Sequence, residues 1–200
     1  NLDAAIADHP DHPFTVEWHP FQLNPDMPSG GMDRREYLET KFGGKDNAVK
    51  VYGRIEQAAK DAGLEIDFAA MQRTPNTIDA HRLIHWAGLE GRQPAVIAAL
   101  FRAYFADGKD IGDRDTLLEI ATGAGMDRAM TERLLDSDAD AADIRARDAN
   151  ARSKGVSGVP TFIVANQHAL SGAQPPQLWA QVIADIAKQM TDGPQETPPE

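Results

Sequence analysis

The spacing of apolar residues changes period twice along the chain, and this double switch restricts the fold more than any other feature. Phe14-Thr-Val-Glu-Trp18 alternates apolar and polar residues and is rich in strand formers, which predicts a half-buried strand stopping at Pro20. Beyond an irregular Pro- and Gly-containing connection at 24–44, with a short helix over Arg34–Lys41, only helical spacings occur as far as Lys154. Thr161-Phe-Ile-Val164 then returns to the extended pattern, Asn166-Gln167 marks a turn, and His168-Ala-Leu170 reads as the return strand of a hairpin. Pro175-Pro176 opens a last helix with Leu178, Val182, Ile183, Ile186 and Met190 on one side. Strand, helical stretch, hairpin, helix is not a regular alternating order. It fits a small α/β sheet interrupted by an inserted all-helical domain.

Within the helical stretch, Asp46 is read as the cap of a helix presenting Val49, Tyr52, Ile55 and Ala59, and Asn76 as the cap of one running through Ile78, Leu83 and Ala87. Gln93-Pro94 begins a third, whose stripe Ile97, Leu100, Phe101, Tyr104 and Phe105 is expected in the core. Asp113 and Asp127 start two more, and a polar, Ala-rich helix from Ala141 to Lys154 closes the series. Asn1–Asp8 reads as the end of a helix that His9-Pro10 terminates, with no capping residue before it. The expected organisation is a discontinuous sheet domain over 1–32 and 154–190, the helical insertion over 33–153, and a flexible apolar-poor tail over 191–200.

A chain of 200 residues, 42% hydrophobic, can bury one sizeable core with a helical lobe. Its net charge of −11 argues against a surface that tracks phosphates, so nucleic acid is not an expected partner. No stretch approaches the roughly 18 consecutive apolar residues of a membrane span, and the expected location is cytoplasmic, although the lack of a basic-then-apolar leader in these residues does not exclude export. Cysteine is absent from the 200 residues, which removes disulfides, thiolate metal sites and thiol catalysis from them. His81 and His85 stand one helical turn apart, but further ligands of a metal site are wanting and packed or solvated imidazoles are the simpler reading. The acidic run Asp136–Asp143 reads as a solvated face.

Four segments carry a family resemblance: His19-Pro-Phe-Gln-Leu-Asn-Pro25, Asn76-Thr-Ile-Asp-Ala-His-Arg-Leu83, Gly155-Val-Ser-Gly-Val-Pro-Thr-Phe162 and Ser171-Gly-Ala-Gln-Pro175. In this order and spacing they resemble the FrnE-like branch of the bacterial DsbA family of thioredoxin-fold oxidoreductases, over about Phe14 to Met190. The resemblance implies a thioredoxin-like fold split by a helical insertion. It also implies an upstream strand and a Cys-x-x-Cys at the start of a helix, neither of which these residues contain. The function it implies is thiol–disulfide exchange, including disulfide isomerisation, with the catalytic pair upstream, no cofactor, and a thiol or disulfide peptide or small molecule as substrate. A homodimer is compatible with it, and a membrane partner is not expected.

The same resemblance places Val159 and Pro160 at the substrate wall, with a cis peptide between them and backbone groups free to pair with an extended chain. The residue pattern alone favours trans, since only about 5–6% of X-Pro bonds in folded proteins are cis. His19 and Pro20 end the first strand, where loops line ligand crevices in open sheets, although Pro20 also suffices as a plain strand terminator. Asn76 and His81 fall in the branch-specific motif, Asn76 with a ready structural use as cap. Gln174 occupies the position where the glutathione-dependent relatives, hydroxychromene carboxylate isomerases and kappa-class transferases, carry charged residues; a neutral amide there favours the Cys-x-x-Cys branch. Those isomerases and transferases remain the alternative, and a peptide-binding thioredoxin-like protein without catalysis is the third reading.

Overall fold

The structure is a computed structural model describing residues 1–192. In chain order it contains α1 (Leu2–Asp8), β1 (Met32–Asp33), α2 (Arg34–Phe42), α3 (Lys45–Asp61), β2 (Arg73–Thr74), α4 (Ile78–Leu89), α5 (Gln93–Phe101) with a following π-helical turn (Arg102–Ala106), α6 (Arg114–Gly123), α7 (Arg128–Leu135), α8 (Ala141–Ser153), β3 (Thr161–Val164), β4 (His168–Ser171) and α9 (Pro176–Asp192). The chain divides into two compact units, Asn1–Glu17 with Arg152–Glu200, and Trp18–Ala151. The first boundary therefore falls at Trp18, earlier than the expected Asp33. The reason is local: Trp18 and Gln22 are hydrogen-bonded to residues of the helical unit.

In the helical unit, Ala80, Leu83, Trp86 and Ala87 of α4, Val96 and Leu100 of α5, and Leu117, Ile120 and Ala121 of α6 recur at helical spacing and form one buried cluster. Asp33, Asp113 and Asp127 start α2, α6 and α7 by accepting the amides of Glu36, Thr116 and Met130. Each satisfies a backbone donor that the helix leaves open.

Two expected caps lie elsewhere. Gly44, not Asp46, precedes α3, leaving Asp46 inside the first turn; Thr77, not Asn76, precedes α4. Val49 and Ile55 of α3 and Phe101 of α5 are exposed rather than core residues. The π-helical turn that follows Phe101 shifts the face that Tyr104 and Phe105 present, and both are half-buried. The insertion is also not wholly helical, since β1 and β2 form a two-residue antiparallel ladder, Met32 opposite Thr74 and Asp33 opposite Arg73. Two residues are too few to leave a period in sequence.

The hairpin unit holds β3 and β4 in antiparallel register, with Phe162 opposite Leu170 and Val164 opposite His168. Ala165 and Asn166 both take positive φ at its turn, one residue earlier than the Asn166-Gln167 expectation. Ala5, Val164, Trp179 and Ile183 make its core, with Phe162 edge-to-face on Trp179 at 4.6 Å. The expected strand at 14–18 forms no ladder and takes no regular secondary structure. Alternation fixes which side chains turn inward, and Phe14 does pack on this core. A strand also needs a paired edge, and no described residue supplies one. Of the expected flexible tail, Thr191 and Asp192 close α9, while 193–200 lie outside the described residues.

Candidate functional site

Val159, Pro160 and Gln174 fall in the hairpin unit. The chain reaches them from Gly155, at φ +88°, and the Val159–Pro160 peptide is cis. Two hydrogen bonds anchor the loop on either side: the Thr161 hydroxyl donates to the Gly158 carbonyl at 2.8 Å, and the Gly172 amide donates to the Pro160 carbonyl at 2.8 Å, continuing the β3–β4 ladder outward. Between these anchors Val159 is 52% exposed. Its own N–H and C=O have no hydrogen-bond partner among the described residues. A fixed loop thus offers one donor and one acceptor from a single residue.

Gln174 is turned toward its own chain. Its Nε2 donates to the Ser171 carbonyl at 2.7 Å, and its backbone carbonyl accepts from Asn1 Nδ2 at 2.8 Å. The amide tightens the exit from β4.

His19, Pro20, Asn76 and His81 fall in the helical unit. Pro20 is buried and His19 exposed. The residues around them are held by three helices. The Gln93 amide pairs with both backbone groups of Trp18, accepting its N–H at 3.0 Å and donating to its carbonyl at 3.2 Å. Asp148 of α8, 5% exposed, accepts the Gln22 amide at 2.8 Å. His81 of α4 hydrogen-bonds the Phe21 backbone and stands near the Asp148 carboxylate. Burial lowers the pKa of His81, and the Asp148 charge and the bond to Phe21 oppose that shift without cancelling it. The neutral imidazole is favoured, with an N–H committed to a backbone carbonyl.

Asn76 is structural on both sides of its amide: Oδ1 accepts the Ile78 N–H at 3.0 Å, and Nδ2 donates to the Met27 carbonyl at 2.7 Å. It ties the start of α4 to the irregular connection and satisfies the first helical amide from one position before Thr77. Among the described residues no group of three or more His, Asp or Glu side chains is arranged to hold a metal ion, His81 and His85 included.

The neighbouring Arg82 was not singled out by the sequence, yet it is 3% exposed and heavily bonded. It donates to the carbonyls of Leu134 (2.6 Å), Ser137 (2.7 Å) and Ala139 (2.7 Å) and to Asp79 Oδ1 (2.7 Å), with its guanidinium 4.8 Å over the Trp86 ring. Trp86 Nε1 in turn donates to Asp140 at 2.8 Å. Asp140 is exposed and also accepts this bond, so the solvated face read at Asp136–Asp143 carries a local side-chain partner at the rim of the buried cluster. Gln93 and Asp148 were also missed. Asp148 had a signal, because Ala141, Ile144 and Asp148 follow helical spacing and put a carboxylate on the buried stripe of α8.

Comparison with known proteins agrees with this architecture. A family model described as the DSBA-like thioredoxin domain matches residues 1–184. The uncharacterised protein YwbO of Bacillus subtilis is 26% identical over 174 residues, covering 86% of this chain and 82% of that one. The crystal structure of the probable DsbA oxidoreductase SCO1869 from Streptomyces coelicolor superposes with a TM-score of 0.81 at 28% identity, covering 100% of this chain and 84% of that one. The structure of a 2-hydroxychromene-2-carboxylate isomerase shares the fold, with a TM-score of 0.66 at 18% identity, covering 96% and 89%.

Proposed function

Because this chain belongs to the DSBA-like thioredoxin-domain family, we propose that it is the substrate-holding body of a thiol–disulfide oxidoreductase whose Cys-x-x-Cys pair lies upstream of these 200 residues. The observation that carries the reading is the exposed Val159, with its donor and its acceptor both open on an anchored loop. One extended residue of a substrate pairs with such a position through two main-chain hydrogen bonds, which hold it independently of its side chain. The chemistry itself needs sulfur. A thiolate attacks one sulfur of the substrate disulfide, the other leaves as thiolate, and the mixed disulfide is resolved by the second thiol. With no cysteine, these residues contribute binding and no nucleophile, and the six methionines cannot take that role.

The test compares this chain with a version extended upstream, using insulin reduction. The 200 residues alone should be inactive, the extended protein active, and Cys→Ser replacement of the first upstream cysteine should abolish activity. The Val159 amide resonance should shift when an extended disulfide peptide is added to either form. A serine in the upstream position, with activity only toward glutathione and an aromatic isomerisation substrate, would replace this reading by the isomerase one. Peptide binding at Val159 with no activity in either assay would leave a binding protein.

A further inference from the structure

The charge of this chain is unevenly placed. It carries 31 Asp and Glu residues against 20 Lys and Arg, yet from Ala149 to Ala184 it has no Asp or Glu. That stretch holds the loop around Val159, both strands β3 and β4, and the first half of α9. Among the described residues, the carboxylates of the hairpin unit lie on α1, on the run that follows it, and in the second half of α9.

Arg152 and Lys154 are the charged residues within the acid-free stretch. Arg152 is already engaged inside the structure. Lys154 is exposed, and among the described residues its ammonium has neither an ion pair nor a hydrogen bond. In the helical unit, by contrast, Lys60 and Lys109 are paired with Glu56 at 2.8 Å and Glu119 at 2.9 Å. The numbering alone bounds the Cα distance from Lys154 to Val159 at about 18 Å, and a turn at Lys154 and Gly155 with a bend over 158–160 shortens it. An extended chain paired at Val159 places residues two positions away about 7 Å to either side. Its flanking side chains therefore run over a surface that offers an uncompensated cation and no acid.

Resting on the reading of Val159 as a main-chain pairing position, we propose that this loop selects acidic substrates: extended peptides with a carboxylate within two residues of the one that pairs with Val159. Backbone pairing takes any side chain, so discrimination comes from the charge beside it. Lys154 attracts a carboxylate flank, and a basic flank meets an unpaired cation. Carboxylates on other elements act through solvent, where screening sets in over about 10 Å at 0.1 M ionic strength.

The test uses the 200-residue chain and two otherwise identical Val- and Thr-rich peptides, each with a central cysteine blocked as its methyl disulfide. Glutamates flank the cysteine in one and lysines in the other, and binding is read from the Val159 amide resonance. At about 0.1 M salt the acidic peptide should bind about fivefold more tightly, the scale of an exposed ion pair exchanged for a like-charge contact. The ratio should approach one at about 1 M salt, where the screening length is only about 3 Å. Lys154→Gln, a change at an exposed position, should remove the preference. Equal affinities in the parent, tighter binding of the basic peptide, or a preference unchanged in Lys154→Gln would overturn the selection and leave Val159 standing as the pairing position. If neither peptide shifts the Val159 resonance, the pairing reading itself falls, and the selection with it.

Discussion

In the helical unit Leu83, Ala87, Val96, Leu117 and Ala121 are 0% exposed, and Arg82 closes the adjoining turn by filling three carbonyls at once. The hairpin unit has a smaller core around Val164, Trp179 and Ile183, and leaves the polar groups of Val159 open to water. The contrast separates two uses of backbone polarity. Groups satisfied internally fix a shape. Groups held rigid but unsatisfied, at a surface where water covers the cost, can be transferred to a ligand.

The strongest way to break the comparison is to remove a satisfied group. Arg82→Met keeps the stacking volume on Trp86 but leaves the carbonyls of Leu134, Ser137 and Ala139 without their donor. Stability measured by urea unfolding should fall by about 3–5 kcal/mol, the usual result of removing one side of a buried charged network. A loss below about 1 kcal/mol would mean that water replaces the guanidinium easily, and that the helical unit is less closed than its burial indicates.

A smaller effect should follow acidification. The folded-state pKa of His81 lies below its unfolded value of 6.5, so the unfolded chain binds the proton first. Stability is then fully present above about pH 6.5 and declines as the pH falls through 6.5 toward the folded pKa. Unfolding curves at pH 7.5 and 5.5 should show this decline in the parent and a shallower one in His81→Asn. Equal slopes would remove His81 from the account.

The mildest prediction changes no stability. Hydrogen exchange of the Val159 amide should run near the rate of an unstructured peptide, while the amides of Leu83 and Val96 should be protected to nearly the global unfolding free energy. Strong protection of Val159 would show that its N–H has a partner after all, and would remove the asymmetry between the units.

Much of this architecture is legible in sequence because helices leave a period and caps leave a residue type. The stripe of Leu83 and Ala87 follows from spacing, the caps Asp113 and Asp127 from residue type, and the β3–β4 hairpin from an extended pattern broken by a turn. Asp46 and Asn76 show the limit of that signal, since several polar residues near a helix start are plausible caps and backbone geometry chooses among them. The candidate site is less legible for a different reason. The carbonyls that Arg82 meets are 52 to 57 residues away, and Asp148 is 126 residues from Gln22. No local pattern encodes such distances. The open groups of Val159 belong to the backbone, which is the same in every sequence; only the Gly-Val-Pro-Thr-Phe resemblance directed attention to them.

The Gln93 amide bears on self-association as well as on folding. Phe14-Thr-Val-Glu-Trp18 has the composition of an edge strand, and an unpaired edge is a template on which another chain can add its own backbone. At Trp18, the end of that run, both the donor and the acceptor that such an addition would use are already taken by one side chain. At Trp18 the glutamine thus leaves no free main-chain group for such an addition. Because it is a side chain and not a strand, it blocks this end of the run without presenting a new edge of its own.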